Sequence, residues 1–499
     1  MLQQRASGVF LHLTSLPGPG GVGDLGAGAR TFLDFLDAAD QRYWQFCPVG
    51  PTSDAYGHSP YAADSAFAGN PLLVDLRDIV DRGYLDESDL DGTVGEPEEV
   101  NYGAVAAYKR DRLRRAHERF VAEAEESARE EFAAFRERES SWLADYALFA
   151  ALKGAHDGAA WTDWPTDLAD RDPEALEAAR ESHAEAVEYH AFVQWLFDEQ
   201  WASLRAAAAD RGVALVGDLP LYVAADSADV WAHRSAFELD EDGEPGVVAG
   251  VPPNPGDDGQ RWGNPVYDWA ALRERGYEWW LARVDGGLSR VDLVRLDHFK
   301  GFDEFWAIPA DAESPAAGEW RPGPGADFFE AVAAELGVPA EELPFIAEDL
   351  GFIDESVTVL RERFGVPGMR VAQYADWCSA DSRDKPVNYP HNAVGYTSTH
   401  DTDTAVGYYD DLGDEQRDCL HYALATDGEA VHWDLLEAVW DSEAVLAMTT
   451  VQDLLGLGSE ARFNTPGTAA GNWRWRVTED ALTDELAGKL AGITAAALR

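Results

Sequence analysis

Three acidic residues follow three separate apolar segments of the chain. Asp297 lies in VRLDHF, Glu348 in IAEDLG and Asp401 in STHD. To break a glycosidic bond with retention, one carboxylate must act as the nucleophile, while a second carboxyl first donates a proton and then removes one. Asp297 and Glu348 could fill these two roles. Asp401 could hold sugar hydroxyls and stabilise an oxocarbenium-like transition state.

The neighbours of these acids fit a catalytic interpretation. Arg295 precedes Asp297 by two residues, on the same face of a strand, and could keep that carboxylate ionised. His298 and His400 each adjoin a proposed catalytic aspartate and could donate hydrogen bonds to sugar hydroxyls. A single acid at a strand end more often caps the following helix, a role open to Asp349. Three strand ends that carry an acid, together with these neighbours, favour a catalytic role over helix capping.

Tryptophan is a second indication of a sugar site. The chain has 18 tryptophans, and Trp262, Trp473 and Trp475 fall in predicted loops. Aromatic rings stack on the apolar faces of sugars, so loop aromatics near a site suit a glucan. Trp279 and Trp280 fall on a predicted helix, and we expect them in the core instead.

Eight short apolar segments that end in polar residues predict strands. Helical segments lie between most of them, for example at 29–40, 271–287 and 355–365, which predicts repeated β-α units and a parallel sheet. Eight such units indicate an α/β fold, a (β/α)8 TIM barrel with its site at the C-terminal ends of the strands. The predicted strands are 9–15, 43–49, 213–220, 293–299, 345–351, 369–374, 393–401 and 444–455.

The spacing of the predicted strands indicates two insertions. The gap after the second strand is too long for a loop, and 104–158 and 173–211 have helical periodicity, so we predict a large helical inserted subdomain at 75–211. Residues 225–270 are rich in Gly and Pro and predict a long, irregular loop insertion after the third strand, over the active site. Residues 479–499 predict a closing helix.

The composition is strongly acidic. Asp and Glu number 92 against 39 Lys and Arg, a net charge of −53. This charge argues against nucleic acid and anionic membranes as partners. Because self-repulsion of this size weakens a fold unless salt screens it, we expect a salt-adapted (halophilic) protein, with solubility alone as the alternative. The sequence has neither a signal peptide pattern nor a membrane-spanning apolar stretch, which predicts a cytoplasmic location.

Other motifs argue against a cofactor. Cys47, Cys378 and Cys419 form no C-x-x-C pair, so we expect reduced structural thiols and no thiolate metal site. Residues 21–26 match G-x-G-x-x-G, but the next predicted strand ends without the acid that would hold a ribose, so a structural turn is favoured. Residues 86–92 lack the spacing of a calcium-binding EF-hand. We therefore expect neither a metal nor an organic cofactor.

Seven motifs, in order along the chain, resemble those of the 4-α-glucanotransferases. This family comprises the amylomaltases or disproportionating enzymes of glycoside hydrolase family 77, in the α-amylase superfamily. The motifs extend from the N-terminal region to residue 476. They are SPYAADSAFAGNPLLVDL (59–76), VGDLPLYVA (216–224), GVPPN…GQRWGNPVYDW (250–269), RLDHFKGF (295–302), AEDLG (347–351), STHDTDT (398–404) and RFNTPGT…NWRWR (462–476).

The resemblance implies a single catalytic (β/α)8 barrel over 1–499, without a C-terminal β-sandwich. By motif, it implies that Asp297 is the nucleophile, Glu348 the acid/base and Asp401 the transition-state stabiliser. It also implies a loop that covers the site and guides the glucan, containing Trp262 and Asn264. The residues implied as donor-side sugar contacts are Tyr61, Asp218, Arg295, His298, His400 and Asn464.

The implied reaction is transfer of an α-1,4-glucan segment to the 4-hydroxyl of glucose or another glucan, by a retaining double displacement. The substrates would be α-1,4-glucans and maltooligosaccharides, with glucose as acceptor. The covering loop departs from the family pattern after Pro252 and Pro253, which leaves acceptor selection open. Two alternatives also stay open: an α-1,4-glucan hydrolase with the same carboxylates, and a non-catalytic glucan-binding barrel, against which the intact acids argue. The sequence does not indicate an oligomeric state.

Overall fold

A closed barrel of eight parallel strands forms the centre of the computed structural model, which describes residues 4–92, 94–254, 258–468 and 470–499. The strands are β1 (Ala6–Phe10), β2 (Tyr43–Gln45), β3 (Ala214–Leu219), β4 (Val247–Val251), β5 (Gln260–Pro265), β6 (Leu293–Leu296), β7 (Glu304–Pro309), β8 (Glu319–Pro322), β9 (Phe345–Ala347), β10 (Gly368–Val371), β11 (Ala393–Tyr396) and β12 (Leu446–Thr450). Around the barrel the order is β1, β2, β3, β6, β9, β10, β11 and β12, which closes on β1. Each of the eight predicted strand segments overlaps one barrel strand, so the predicted (β/α)8 barrel is confirmed.

Helices surround the barrel. They are α1 (Ala27–Ala38), α2 (Leu76–Asp81), α3 (Tyr102–Glu123), α4 (Glu126–Arg138), α5 (Leu143–Ala155), α6 (Thr166–Ala169), α7 (Pro173–Ser182), α8 (Ala184–Asp210), α9 (Ala228–Ala232), α10 (Trp269–Glu274), α11 (Glu278–Arg290), α12 (Ala326–Leu336), α13 (Glu355–Arg363), α14 (Ala405–Asp411), α15 (Asp414–Leu424), α16 (Val431–Asp441), α17 (Val451–Leu454) and α18 (Asp484–Ala496). Within the described ranges, no helix is long and apolar enough to cross a membrane.

The long segment between β2 and β3 is helical, as its periodicity predicts. It contains α2 to α8, and α8 alone has 27 residues. Buried aromatic residues of these helices, such as Phe120, Phe132 and Phe192, pack against one another. The apolar positions of these helices thus extend the hydrophobic core that surrounds the barrel.

The second insertion is more regular than the sequence predicts. Its strands β4 and β5 pair antiparallel, and β4 also pairs with β7, which extends the sheet to β8. The irregular loop predicted for 225–270 is therefore a strand pair over part of its length. Residues 255–257 of that segment lie outside the described residues. The resulting four-stranded sheet lies outside the barrel, and β7 begins eight residues after Leu296, the last residue of β6.

Two of the three cysteines are paired. Cys378 and Cys419 form a disulfide, whereas Cys47 is free and buried. The expectation of three reduced thiols is therefore wrong for Cys378 and Cys419. Although they are 41 residues apart in sequence, helix α15 packs beside the segment after β10, and the two Cα atoms lie 5.1 Å apart, a separation that suits a disulfide.

The glycine motif at 21–26 precedes α1 and forms a tight turn. Gly21 has φ +75°, and a Cβ atom there would lie 2.2 Å from the carbonyl oxygen of Val94. A Cβ atom on Gly23 would meet the carbonyl oxygen of Leu13 at 1.9 Å. Close backbone approach accounts for these glycines, as the structural interpretation of the motif predicts.

Candidate active site

The three acids lie at the C-terminal ends of barrel strands. Asp297 follows β6, Glu348 follows β9 and Asp401 lies just beyond β11. Strands β6 and β9 are neighbours, and Leu296 pairs with Ala347, so Asp297 and Glu348 directly follow the last pair of residues. Neighbouring strands lie about 4.8 Å apart, which is close to the separation of about 5–5.5 Å between the two carboxyls of retaining glycosidases.

Arg295 links two carboxylates in the barrel mouth. Its Nη1 donates to Asp297 Oδ1 at 2.9 Å and to Asp218 Oδ2 at 2.6 Å. The side chain of Arg295 is only 3% exposed, so these charge-assisted bonds act in a poorly solvated environment. Burial raises the pKa of Asp218 to about 6, against the opposing effect of Arg295. Asp218 and Asp297 raise the pKa of Arg295 well above its ordinary value, although burial opposes them.

Glu348 is held by the backbone and tends to keep its proton. The N–H groups of His298 and Leu350 donate to its Oε2 and Oε1 at 2.8 and 2.9 Å. Burial raises the pKa of Glu348 to about 8, and the negative charge of Asp297 acts in the same direction, while Arg295 opposes both. A carboxyl with this pKa is largely protonated at neutral pH and can act as a general acid.

The backbone of His298 has a left-handed conformation, with φ +51°, which histidine adopts more readily than bulky or β-branched residues. Burial lowers the pKa of His298 to about 4, so its ring is neutral. Among the described residues, its buried Nε2 has no hydrogen-bond partner. The ring therefore has a free polar atom in the site, as expected of a residue that contacts a sugar hydroxyl.

Asp401 belongs to a hydrogen-bonded chain. Its Oδ1 accepts from Asn464 Nδ2 at 2.6 Å, and its Oδ2 lies 3.1 Å from His400 Nε2. The Tyr61 hydroxyl donates to Asp218 at 2.9 Å and lies 2.8 Å from His400 Nε2. The proton on Nε2 of His400 therefore faces both the Tyr61 oxygen and Asp401. Burial favours protonation of Asp401, but His400 and Asn464 outweigh it and lower the pKa to about 2.

Aromatic rings form the walls of the site. Tyr61 stacks on His400 with ring centres 5.4 Å apart, and Trp473 lies 5.9 Å from Tyr61. Trp262, on β5, contacts the His298 ring edge-on at 4.9 Å and remains 37% exposed. This exposed indole beside the carboxylates can stack on a sugar ring.

The other predicted aromatic and amide residues lie in different environments. The predicted core residues Trp279 and Trp280 are buried, as expected. Asn264 Nδ2 donates to the carbonyl of Val223 at 2.8 Å, which joins β5 to the segment after β3. Trp475 is half-buried and forms an antiparallel bridge with Glu99, near the helical insertion.

Two residues have roles that the sequence reasoning missed. Arg462 donates to the backbone oxygens of Asp401 and Asn464, at 2.7 and 2.8 Å, and so joins the loop of Asn464 to the end of β11. Arg462 lies two residues before the predicted sugar contact Asn464, and this proximity is the sequence signal that could have identified it. Asp349 is buried and accepts from the N–H of Met369 at 2.7 Å, while Asp354 occupies the N-cap of α13, so the helix-cap role for Asp349 is wrong.

Comparison with known proteins agrees with this geometry. The family model of glycoside hydrolase family 77, 4-alpha-glucanotransferase, matches residues 11–483. A 4-alpha-glucanotransferase of Thermus thermophilus is 46% identical over 504 residues, with 99% of each chain covered. One from Synechocystis is also 46% identical, over 500 residues, covering 99% of this chain and 98% of that protein.

A solved structure is similar over its whole length. Amylomaltase from Streptococcus agalactiae, in complex with acarbose, matches with a TM-score of 0.95 at 36% identity, covering 99% of this chain and 100% of that one. The resemblance predicted from the sequence motifs is thus confirmed. The chain belongs to the 4-α-glucanotransferases of glycoside hydrolase family 77, and its activity is that of an amylomaltase.

Proposed function

We propose that the protein transfers α-1,4-glucan segments by a retaining double displacement, with Asp297 as nucleophile, Glu348 as acid/base and Asp401 as transition-state stabiliser. The observation that carries the proposal is that Asp297 and Glu348 directly follow Leu296 and Ala347, the last pair of residues of the adjacent strands β6 and β9. Their different environments support different roles. Asp297 accepts a hydrogen bond from Arg295, whereas burial keeps Glu348 protonated.

In the first step, the Asp297 carboxylate attacks the anomeric carbon of the donor. Glu348 gives its proton to the glycosidic oxygen as the C–O bond breaks, so the leaving glucan departs as an alcohol. The product is a glycosyl ester on Asp297. Asp401, ionised because of its low pKa, faces the positive charge that develops on the sugar ring.

In the second step, Glu348 is a carboxylate and removes the proton from a sugar 4-hydroxyl. The oxygen of that hydroxyl attacks the anomeric carbon and displaces Asp297, which forms a new α-1,4 bond and restores both side chains. Two inversions at the same carbon give net retention.

The donors in this proposal are α-1,4-glucans and maltooligosaccharides, and the acceptor is glucose or another glucan. The free polar atom of His298 and the polar chain around Asp401 support sugar-hydroxyl contacts by these residues. Residues 225–270, with Trp262 on β5, would cover the site and keep water from the glycosyl ester. The further substrate contacts proposed are Tyr61, Asp218, Arg295, His400, Asn464 and, through its loop, Asn264.

The test is incubation of the protein with maltotriose in molar KCl, followed by chromatography of the sugars. Transfer predicts glucose together with a ladder of longer maltooligosaccharides, whereas shorter products alone indicate a hydrolase. Asp297→Asn should abolish the ladder. Asp311→Asn, the same change at an exposed aspartate, is the matched control and should leave the ladder unchanged. A persistent ladder with Asp297→Asn would contradict the assigned nucleophile.

We also propose that the fold is adapted to salt. The net charge of −53 supports this proposal, since the Debye length falls to about 3 Å at 1 M salt. Urea unfolding should therefore require more denaturant in 2 M KCl than in 0.1 M KCl. Equal unfolding midpoints at the two concentrations would leave solubility as the explanation of the acidic composition.

A further inference from the structure

A cavity of about 300 Å³ lies between the segment after β2 and the helices α3, α5 and α8. This volume falls at the lower end of the range for small-molecule sites. The residues that line it are not those of the catalytic carboxylate cluster. They include Arg110 and Arg114 on α3, Tyr146 and Lys153 on α5, and Tyr189 and His190 on α8.

Two arginines at this cavity have no acidic partner. Every arginine of the chain lies in a described range, and of these only Arg110, Arg114 and Arg136 make neither a hydrogen bond nor an ion pair. Arg110 and Arg114 are one helical turn apart, so their charges repel each other. Because acids outnumber bases by 92 to 39, partners for a cation are abundant. Both arginines are exposed residues, so their guanidiniums stay hydrated without a ligand and are available to an anion at the cavity.

The rest of the lining does not neutralise this charge. Asp64 is the single acid among the described lining residues, and burial raises its pKa to about 7, so it is only partly ionised near neutral pH. Lys153 already donates to Asp226 at 2.5 Å and to two backbone oxygens. Burial, with the nearby charge of Arg114, lowers the pKa of His190 to about 4, so its ring is neutral.

The wall beside the arginines is aromatic. The Arg114 guanidinium carbon lies 5.7 Å from the centre of the Tyr189 ring. Tyr146 lines the same cavity from α5, together with Phe149. Aromatic faces next to a pair of guanidiniums match a ligand with a sugar ring and an anionic group.

We propose that this cavity binds a phosphorylated monosaccharide, with its phosphate held by Arg110 and Arg114 and its ring against Tyr189 and Tyr146. Guanidinium groups bind phosphate oxygens through paired N–H donors, which gives phosphate an advantage over a singly charged anion. This site is separate from the proposed glucan chemistry and does not depend on it.

The test is isothermal titration of the whole protein with glucose 6-phosphate, with glucose and inorganic phosphate as comparison ligands. Titrations use the lowest KCl concentration at which the protein stays folded, because salt screens the contact. Glucose 6-phosphate should bind at least tenfold more tightly than either comparison ligand. The double variant R110Q/R114Q should weaken that binding at least tenfold. R136Q removes the same charge from an unpaired arginine outside the lining and should leave the affinity unchanged.

Several results would overturn the proposal. They are no binding of glucose 6-phosphate, equal binding of glucose, equal binding of inorganic phosphate, or undiminished binding by R110Q/R114Q. An equal loss with R136Q would show a general effect of net charge instead of a site. Thermal unfolding checks that each variant is folded, and R114Q alone replaces the double variant if the latter does not fold.

Discussion

Raising the pH through 8 should remove the proton that Glu348 gives to the leaving glucan. Burial raises the pKa of this carboxyl to about 8, so the acid form is present below that pH and is lost above it. The protonated fraction is then about nine-tenths at pH 7 and about one-tenth at pH 9. We therefore expect kcat/KM for maltotriose to fall about tenfold between these two pH values, since kcat/KM reports the free enzyme.

The assay compares two donors over pH 6–10. Maltotriose has a poor leaving group that requires the acid, whereas α-maltosyl fluoride releases fluoride without it. The fall of kcat/KM at high pH should therefore appear with maltotriose, whereas the rate of fluoride release should not fall. Glu348→Gln should lower kcat/KM for maltotriose by about 10² to 10⁴, yet still release one equivalent of fluoride per protein in the first turnover.

Two results would refute this reasoning. A flat maltotriose profile from pH 7 to pH 9 would show that Glu348 does not titrate in this range or does not donate the proton. Equal impairment of Glu348→Gln with both donors would show that the variant has lost binding or folding instead of acid catalysis. Thermal unfolding of the variant separates these last two causes.

Three further experiments, two with variants and one by cysteine alkylation, test other parts of the structure. Asp401→Asn should lower kcat for maltotriose by about 10²–10³ at unchanged thermal stability; an unchanged kcat would exclude transition-state stabilisation by this group. Arg295→Leu leaves the buried Asp218 without its cation and should cost about 3–5 kcal/mol in urea unfolding, so equal stability would contradict the buried pair. Alkylation after denaturation without reductant should label one of the three cysteines, and reduction should expose Cys378 and Cys419 as well; three labels without reduction would contradict the disulfide.

The barrel and its carboxylates were predictable because a parallel strand leaves a local signal. Each strand is a short apolar segment, buried on both faces, and ends in polar residues where the barrel opens. The convergence of Asp297, Glu348 and Asp401 follows from that rule alone. The ends of strands have a weaker signal: the apolar pattern predicts one strand over 444–455, whereas helix α17 begins at Val451. A buried helix and a buried strand have the same apolar composition over so few residues.

Features that depend on contacts between residues far apart in the sequence had no such local signal. Strands β4 and β5 are short and lie in a segment rich in Gly and Pro, and β4 also pairs with β7, which follows a different barrel strand. The disulfide joins two cysteines that only the packing of α15 brings together. Arg462 acts through backbone oxygens, which carry no side-chain pattern. Tertiary packing, which one sequence does not reveal, determines all three.

The most direct test of the central claim is to identify the residue that carries the glycosyl group. Glu348→Gln treated with α-maltosyl fluoride should accumulate the ester, because the base needed for the second step is missing. Acid quench, proteolysis and mass spectrometry should then show one maltosyl group on the peptide that contains Asp297, and none when Asp297→Asn is added. A maltosyl group on another residue, or fluoride release without any labelled peptide, would contradict the proposed mechanism.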